Sequence, residues 1–342
     1  MSRMPETRRS PLLSLLRTLT LGIVFALFIR YAFTKSDINK VKFFKLSGTN
    51  NFFDNEHPNK TIKDFPVKVF AIGDIHGDFH NALDILSAAG VVSPVDPFEW
   101  TAGNATLVQT GDIVDRGPDT RFLFKWFDKL STQAEQQGGR VIRLLGNHEF
   151  MNAKGDWRYV HYGDLVSYPE PYIENRKYDW GPEGAIGDLL ITKYNVTFKD
   201  EISRSHFMHA GLSPEWSMQE DFVNSMGHDV LEMFMKGEEL SDELKEFWGI
   251  KGPMWYRGYA QLPTEIACEV AYNVTKTLNV DRLVMGHTPQ FSGIRSRCNG
   301  QIVLIDTGLS SAYSGERAVL RILKNERMSI VEAVYRDRVV RL

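Results

Sequence analysis

Val67-Lys68-Val69-Phe70-Ala71-Ile72-Gly73-Asp74-Ile75-His76-Gly77 decides the fold of this chain. A short β-type run stops at a Gly-Asp pair, and a histidine follows two positions later. Sheet-based α/β proteins collect their ligands in this way, just beyond the carboxyl ends of strands. The pattern recurs along the chain. Residues 106–110 run into Gly111-Asp112-Ile113-Val114-Asp115-Arg116-Gly117, and residues 141–145 into Gly146-Asn147-His148-Glu149. Residues 206–209 run into Ala210-Gly211, 282–285 into Gly286-His287-Thr288, and 301–305 into Asp306-Thr307-Gly308. Between these runs the spacing turns helical. Residues 79–89 place Leu83, Leu86 and Ala89 on one face, with Gly90 as the stop. Asp119 is expected to cap a helix carrying Phe122, Leu123, Trp126, Phe127 and Leu130, ended by Gly138-Gly139. Thr264 is expected to cap another, reaching about Leu278. Strand, loop and helix in alternation predict an α/β fold class.

The loops supply Asp74, His76, Asp112, Asn147, His209 and His287, with Arg116 beside them. Imidazole and carboxylate together suit two divalent ions such as Mn, Fe or Zn; the lack of cysteine ligands disfavours a structural zinc site. A carboxylate bridges two ions 3.5–4 Å apart best, and a water between them becomes hydroxide near neutral pH and can attack phosphorus in line. A doubly negative phosphate monoester also needs cationic cover, and its leaving oxygen needs a proton. His57, His80, His161, His206 and His228 lack such a context and read as ordinary core or surface histidines.

The 342 residues are 43% hydrophobic and 24% charged, which supports a sizeable core. The net charge of -3 is uneven. Residues 1–45 hold nine Lys/Arg against Glu6 and Asp37, hence +7; the remainder holds 31 Lys/Arg and 41 Asp/Glu, hence -10. An acidic body lacks the basic stripe of a general nucleic-acid binder and suits a site that concentrates cations. Arg3, Arg8, Arg9 and Arg17 precede an uncharged run from Thr18 to Ile29 closed by Arg30. Residues 1–34 are therefore read as a targeting or membrane-anchor segment, a signal anchor that places the body in the secretory lumen. A cleaved signal and a mitochondrial presequence are the alternatives. Residues 35–65 read as a polar linker and 66–342 as the catalytic domain. Sequons at Asn59, Asn104, Asn195 and Asn273 favour the secretory route. Cys268 and Cys298 are either two buried thiols or one disulfide across Gly286-His287-Thr288.

Gly-Asp-Ile-His-Gly (73–77), Gly-Asp-Ile-Val-Asp-Arg-Gly (111–117) and Gly-Asn-His-Glu (146–149), about 35 residues apart, resemble the phosphoprotein phosphatase branch of the calcineurin-like metallophosphoesterases. His-Ala-Gly-Leu-Ser-Pro (209–214) and Gly-His-Thr (286–288) extend the likeness. Leu107 to Asp112, Gly155 to Val160, Gly252 to Tyr259 and Asp306 to Ser310 resemble the Shewanella-like, bacterial-type protein phosphatases more closely. The resemblance covers about residues 66–325. It implies two mixed β-sheets packed as a sandwich with flanking helices. It implies that Asp74 and His76 bind a first metal, that Asp112 bridges, and that Asn147, His209 and His287 bind a second. His148 would protonate the leaving oxygen, held by Asp115, while Arg116 and Arg257 grip the phosphate. The cysteines fall where the closer family tends to carry a pair, which favours the disulfide.

The implied activity is hydrolysis of phosphate monoesters on phosphoproteins, phosphotyrosine or phosphoserine/threonine, by direct attack of metal-bound hydroxide, with manganese the first choice for assay. Hydrolysis of a phosphoanhydride (polyphosphate, dinucleotide polyphosphate or cap) is the enzymatic alternative. An inactive membrane-tethered binding module is the alternative outside enzymes. The implied partners are a phosphorylated protein and, through the N-terminal segment, a membrane, but no nucleic acid. Leu145 stands where eukaryotic Ser/Thr members carry Arg, and Ser310 to Gly315 replaces their C-terminal signature. Toxin sensitivity and substrate preference of those enzymes are therefore not carried over. The aromatic-rich residues 157–178 read as ordinary packing of an inserted segment, with a pocket wall as the other reading.

Overall fold

The computed structural model describes residues 65–217 and 220–342. The expected anchor segment lies outside the described residues, as does the linker apart from Phe65. Among the described residues no helix is long and apolar enough to cross a membrane. In chain order the strands are β1 (Val67–Ile72), β2 (Thr106–Gln109), β3 (Arg140–Leu144), β4 (Tyr194–Asn195), β5 (Thr197–Asp200), β6 (Ser205–Met208), β7 (Arg282–Met285), β8 (Arg295–Arg297), β9 (Ile302–Leu304), β10 (Ala318–Lys324), β11 (Ser329–Tyr335) and β12 (Val339–Arg341). The helices are α1 (Phe79–Ala88), α2 (Thr120–Gln136), α3 (Asn147–Ala153), α4 (Tyr162–Leu165), α5 (Tyr172–Asp179), α6 (Ala185–Lys193), α7 (Glu220–Lys236), α8 (Asp242–Trp248), α9 (Gly258–Gln261) and α10 (Thr264–Leu278).

One sheet has the order β12-β11-β10-β1-β2-β3-β4 and the other β5-β6-β7-β9-β8. β1 to β4 run parallel, and β10 joins β1 antiparallel in the register Val67↔Lys324 to Ala71↔Leu320. In the second sheet β6, β7 and β9 are parallel, with β5 and β8 antiparallel at the edges. Both sheets are mixed, as expected. The period of two along β1 explains why they stack. Val69 and Ala71 face a core shared with Val108, Phe207, Val284 and Val303, so they lie between the sheets. Phe70 and Ile72 point the other way, into the core that holds Ile85 and Leu86 of α1 and Phe124 and Phe127 of α2. A strand buried on both faces must be apolar throughout, and β1 is, apart from Lys68 near its start. Each fully buried Phe, Leu or Ile contributes roughly 1.5–3 kcal/mol.

Two helix starts differ from the sequence reading. Asp119 stands at the cap of α2 but makes no side-chain bond there. Its Oδ2 accepts from the Phe79 N–H at 3.2 Å, the first residue of α1, so it ties the two helices together instead. Thr264 is the first residue of α10, after Pro263, and its Oγ1 accepts from Arg297. Cys268 of α10 and Cys298 after β8 form a disulfide, with Cα atoms 5.2 Å apart.

Candidate metal centre

Three parallel strands of each sheet end at one place. β1 leads to Asp74 and His76, β2 to Asp112, Asp115 and Arg116, and β3 to Asn147 and His148. From the other sheet β6 leads to His209, β7 to His287 and β9 to Asp306. Hydrogen bonds stitch the two sets. The His287 N–H donates to Asp74 Oδ1 at 3.0 Å, and His209 Nδ1 lies 2.8 Å from the Thr110 carbonyl. Glycine makes the close approach possible. A Cβ at Gly146 would lie 2.2 Å from Asp112 Oδ1, and one at Gly286 would lie 2.2 Å from Asp74 Oδ1. His76, Asp112, Asp115, Arg116 and His287 all sit in left-handed backbone, with φ of 47, 55, 69, 64 and 65°. Non-glycine residues persist there only where their surroundings dictate it, and such strain clusters at functional sites.

Asp112 is central. Its Oδ2 lies 3.8 Å from His76 Nε2, 3.8 Å from His148 Nε2 and 3.5 Å from His209 Nε2. His76, Asp112 and His148 form one donor group, and Asp112, His209 and His287 another, with Asp112 common to both. His209 Nε2 faces Asn147 Oδ1 at 2.9 Å and His287 Nδ1 at 3.1 Å. His76 Nδ1 lies 2.9 Å from the Val114 carbonyl, so it carries the proton and leaves the Nε2 lone pair toward Asp112. His209 is arranged alike by Thr110. His148 differs. Its Nδ1 is 2.5 Å from Asp115 Oδ2, and its backbone N–H donates to Asp112 Oδ1 at 2.9 Å.

The electrostatics call for cations. Burial, then Asp306 and Asp112, raises the Asp74 pKa well above the usual carboxylate range. Burial pushes Asp112 up to about 7 and Asp306 up to about 6. Burial also drives His209 down to about 3 and lowers His76 and His287. Buried carboxylates beside neutral imidazoles, with lone pairs turned inward, fit two divalent ions. For His148 burial works against protonation, but Asp112 and Asp115 outweigh it and raise its pKa.

The donors open into a cavity of about 680 Å³. Arg116 and Arg257 border it. The Arg116 guanidinium lies 4.4 Å from the Tyr159 ring centre and 5.0 Å from that of Tyr313. Arg257 Nη1 donates to the His287 carbonyl at 2.8 Å and to Thr288 Oγ1 at 3.0 Å. All ten residues singled out from sequence thus meet at one site. Three others were not singled out as site residues. Asp306 lines the cavity beside Asp74, and the signal for it was its own post-strand Asp-Thr-Gly. Glu149 is fully buried and accepts from the N–H groups of Asp112 (2.9 Å), Ile113 (2.8 Å) and Gly146 (2.7 Å), locking two loops together. Tyr159 makes part of the inserted segment a cavity wall, while Trp157, half-buried, packs against Arg176.

Residues 67–291 match the calcineurin-like phosphoesterase family. The chain belongs to that family. This phosphoesterase is 63% identical over 337 residues to an uncharacterised protein of Schizosaccharomyces pombe, covering 97% of this chain and all of the relative. It is 27% identical to Shewanella-like protein phosphatase 2 of Arabidopsis thaliana, over 78% of each chain. Among solved structures it resembles the cold-active protein-tyrosine phosphatase of a psychrophilic Shewanella species, with TM-score 0.68 and 27% identity over 80% of each chain. The phosphoesterase is a metal-dependent phosphatase with a dinuclear centre.

Proposed function

We propose that this phosphoesterase removes phosphate from proteins carrying phosphotyrosine, phosphoserine or phosphothreonine. The observation that carries the reading is the pairing, in one open cavity, of a two-group metal donor set with two anchored arginines and a His148–Asp115 couple. The names of the Arabidopsis and Shewanella relatives support a protein substrate. Asp74 and His76 would hold one ion and Asn147, His209 and His287 the other, with Asp112 common to both. Asp306, beside Asp74, would join the first set. When bound, the ions supply Lewis acidity and an activated water. Arg116, stacked between two tyrosines, and Arg257, held by two oxygens, present fixed forks to the non-bridging phosphate oxygens. His148 donates its Nε2 proton to the leaving oxygen, while Asp115 keeps the ring charged and oriented through Nδ1.

Side-by-side assay of the manganese-loaded full chain on phosphotyrosine and phosphoserine peptides and on polyphosphate tests this. Hydrolysis of the peptides, lost on chelation and restored by Mn²⁺, is expected; turnover of polyphosphate alone would overturn it.

We further propose that the body resides in an oxidising compartment, the secretory lumen, tethered by its N-terminal segment. The Cys268–Cys298 disulfide supports this, as does exposure of the sequon residues Asn104 and Asn273. Reducing a bond that spans 30 residues is expected to lower stability by about 3–4 kcal/mol. Thermal unfolding with and without reductant measures it, and peptide mapping of native protein that finds two free thiols would argue against the compartment.

A further inference from the structure

Asn152 and Arg176 border no part of the cavity and belong to no donor group, yet both are buried, at 1% and 0% exposure. Asn152 stands on α3 one turn after His148, on the same face. Its Nδ2 donates to the His148 carbonyl at 2.9 Å and to Asp115 Oδ1 at 3.0 Å. Its Oδ1 accepts from Arg176 Nη2 at 2.6 Å. Arg176 is fixed in turn. Its Nε donates to Asp164 Oδ2 at 2.9 Å, and its guanidinium lies 4.6 Å from the Trp157 ring and 5.1 Å from that of Trp180.

A carboxamide can point either way, and only its neighbours decide which. Arginine has donors and no acceptor. Arg176 therefore holds the Asn152 oxygen toward itself, and this turns the Asn152 amino group onto Asp115. One Asp115 oxygen is thereby engaged from behind, and the other is left to face His148 Nδ1. With the amide reversed, the Asn152 oxygen would oppose Asp115 Oδ1 and the bond that holds that carboxylate from behind would be lost. We infer that Asn152 and Arg176 are positioning residues that set the His148–Asp115 couple for proton delivery to the leaving group. This rests on the role proposed for His148. It concerns orientation, so it predicts a loss that depends on how much the leaving oxygen needs a proton.

The test compares a phosphoserine peptide, whose alkoxide needs protonation, with nitrophenyl phosphate, whose phenolate does not. Asn152→Leu in the full chain should lower kcat roughly 10- to 100-fold on the peptide and less than about threefold on the nitrophenyl ester, with KM and manganese content little changed. Removing Arg176 alone would strand Asp164 as a buried unpaired carboxylate. The partner experiment is therefore the double variant Arg176→Met/Asp164→Leu, which should show the same substrate-dependent loss. Equal losses on both esters, or none on either, in folded variants would overturn the inference. Failure of both variants to fold would assign a structural role and overturn it equally. If the unsubstituted chain cleaves neither ester, the phosphatase reading itself falls, and this one with it.

Discussion

Asp112→Asn is expected to lower turnover by roughly 10³-fold or more, the rate equivalent of the several kcal/mol of charge stabilisation a bound metal supplies. The substitution isolates charge. Asparagine is nearly isosteric with aspartate and tolerates the left-handed backbone found at this position, where φ is 55°. The backbone N–H bonds that Glu149 makes to residues 112 and 113 do not depend on the side chain. What is lost is the one carboxylate, among the described residues, within 4 Å of His76, His148 and His209 at once. Both donor groups contain it, so manganese content should fall along with kcat. Metal analysis and steady-state kinetics on one sample check this. A variant with full metal occupancy and unsubstituted activity would remove the basis for a shared ligand.

The second large effect is expected at His148. His148→Asn should cut kcat by roughly 10²–10⁴ on a phosphoserine peptide, the range contributed by a positioned acid, and far less on nitrophenyl phosphate. The imidazole sits between two carboxylates, Asp115 at 2.5 Å and Asp112 at 3.8 Å, which explains why its pKa is raised despite burial. It also stands within reach of the first donor group, so a ligand role is the competing account. The two accounts separate cleanly. An acid loses selectively on poor leaving groups and keeps the metal, whereas a ligand loses on every substrate and releases it. A uniform loss accompanied by metal depletion would reassign His148.

The fold and most of the site were legible because both are written locally. Each ligand stands just after a short apolar run with a glycine within two positions of it, which lets the chain turn where the strand stops. Asp306 carries the same signature after β9, but Asp-Thr-Gly alone does not announce a carboxylate turned toward Asp74. Residues that act by holding others were harder to see. Glu149 gives no sign in sequence that its oxygens reach backbone across 36 and 37 positions. Arg176 reaches Asn152 across 24 and Asp164 across 12. Such contacts depend on how the segment between β3 and β4 folds back, and hydrophobic spacing does not encode that. Asp119 shows the same limit on a smaller scale. It has the right chemistry for a cap, but tertiary packing offered its carboxylate the N–H of Phe79 instead.

The register of β10 against β1 bears on how the protein is made. Val67 pairs with Lys324, so the first of the described strands waits, during synthesis, for one of the last. At the usual pace of synthesis that interval is about 10–50 s, during which an apolar strand lacks the neighbour that closes its free edge. The span 67–291 is therefore not a folding unit by itself, for it ends before β9 and β10. Expression cut at residue 291 should yield insoluble material, whereas the β10–β11 hairpin, which borders no part of the cavity, supplies the partner strand that lets the catalytic loops assemble.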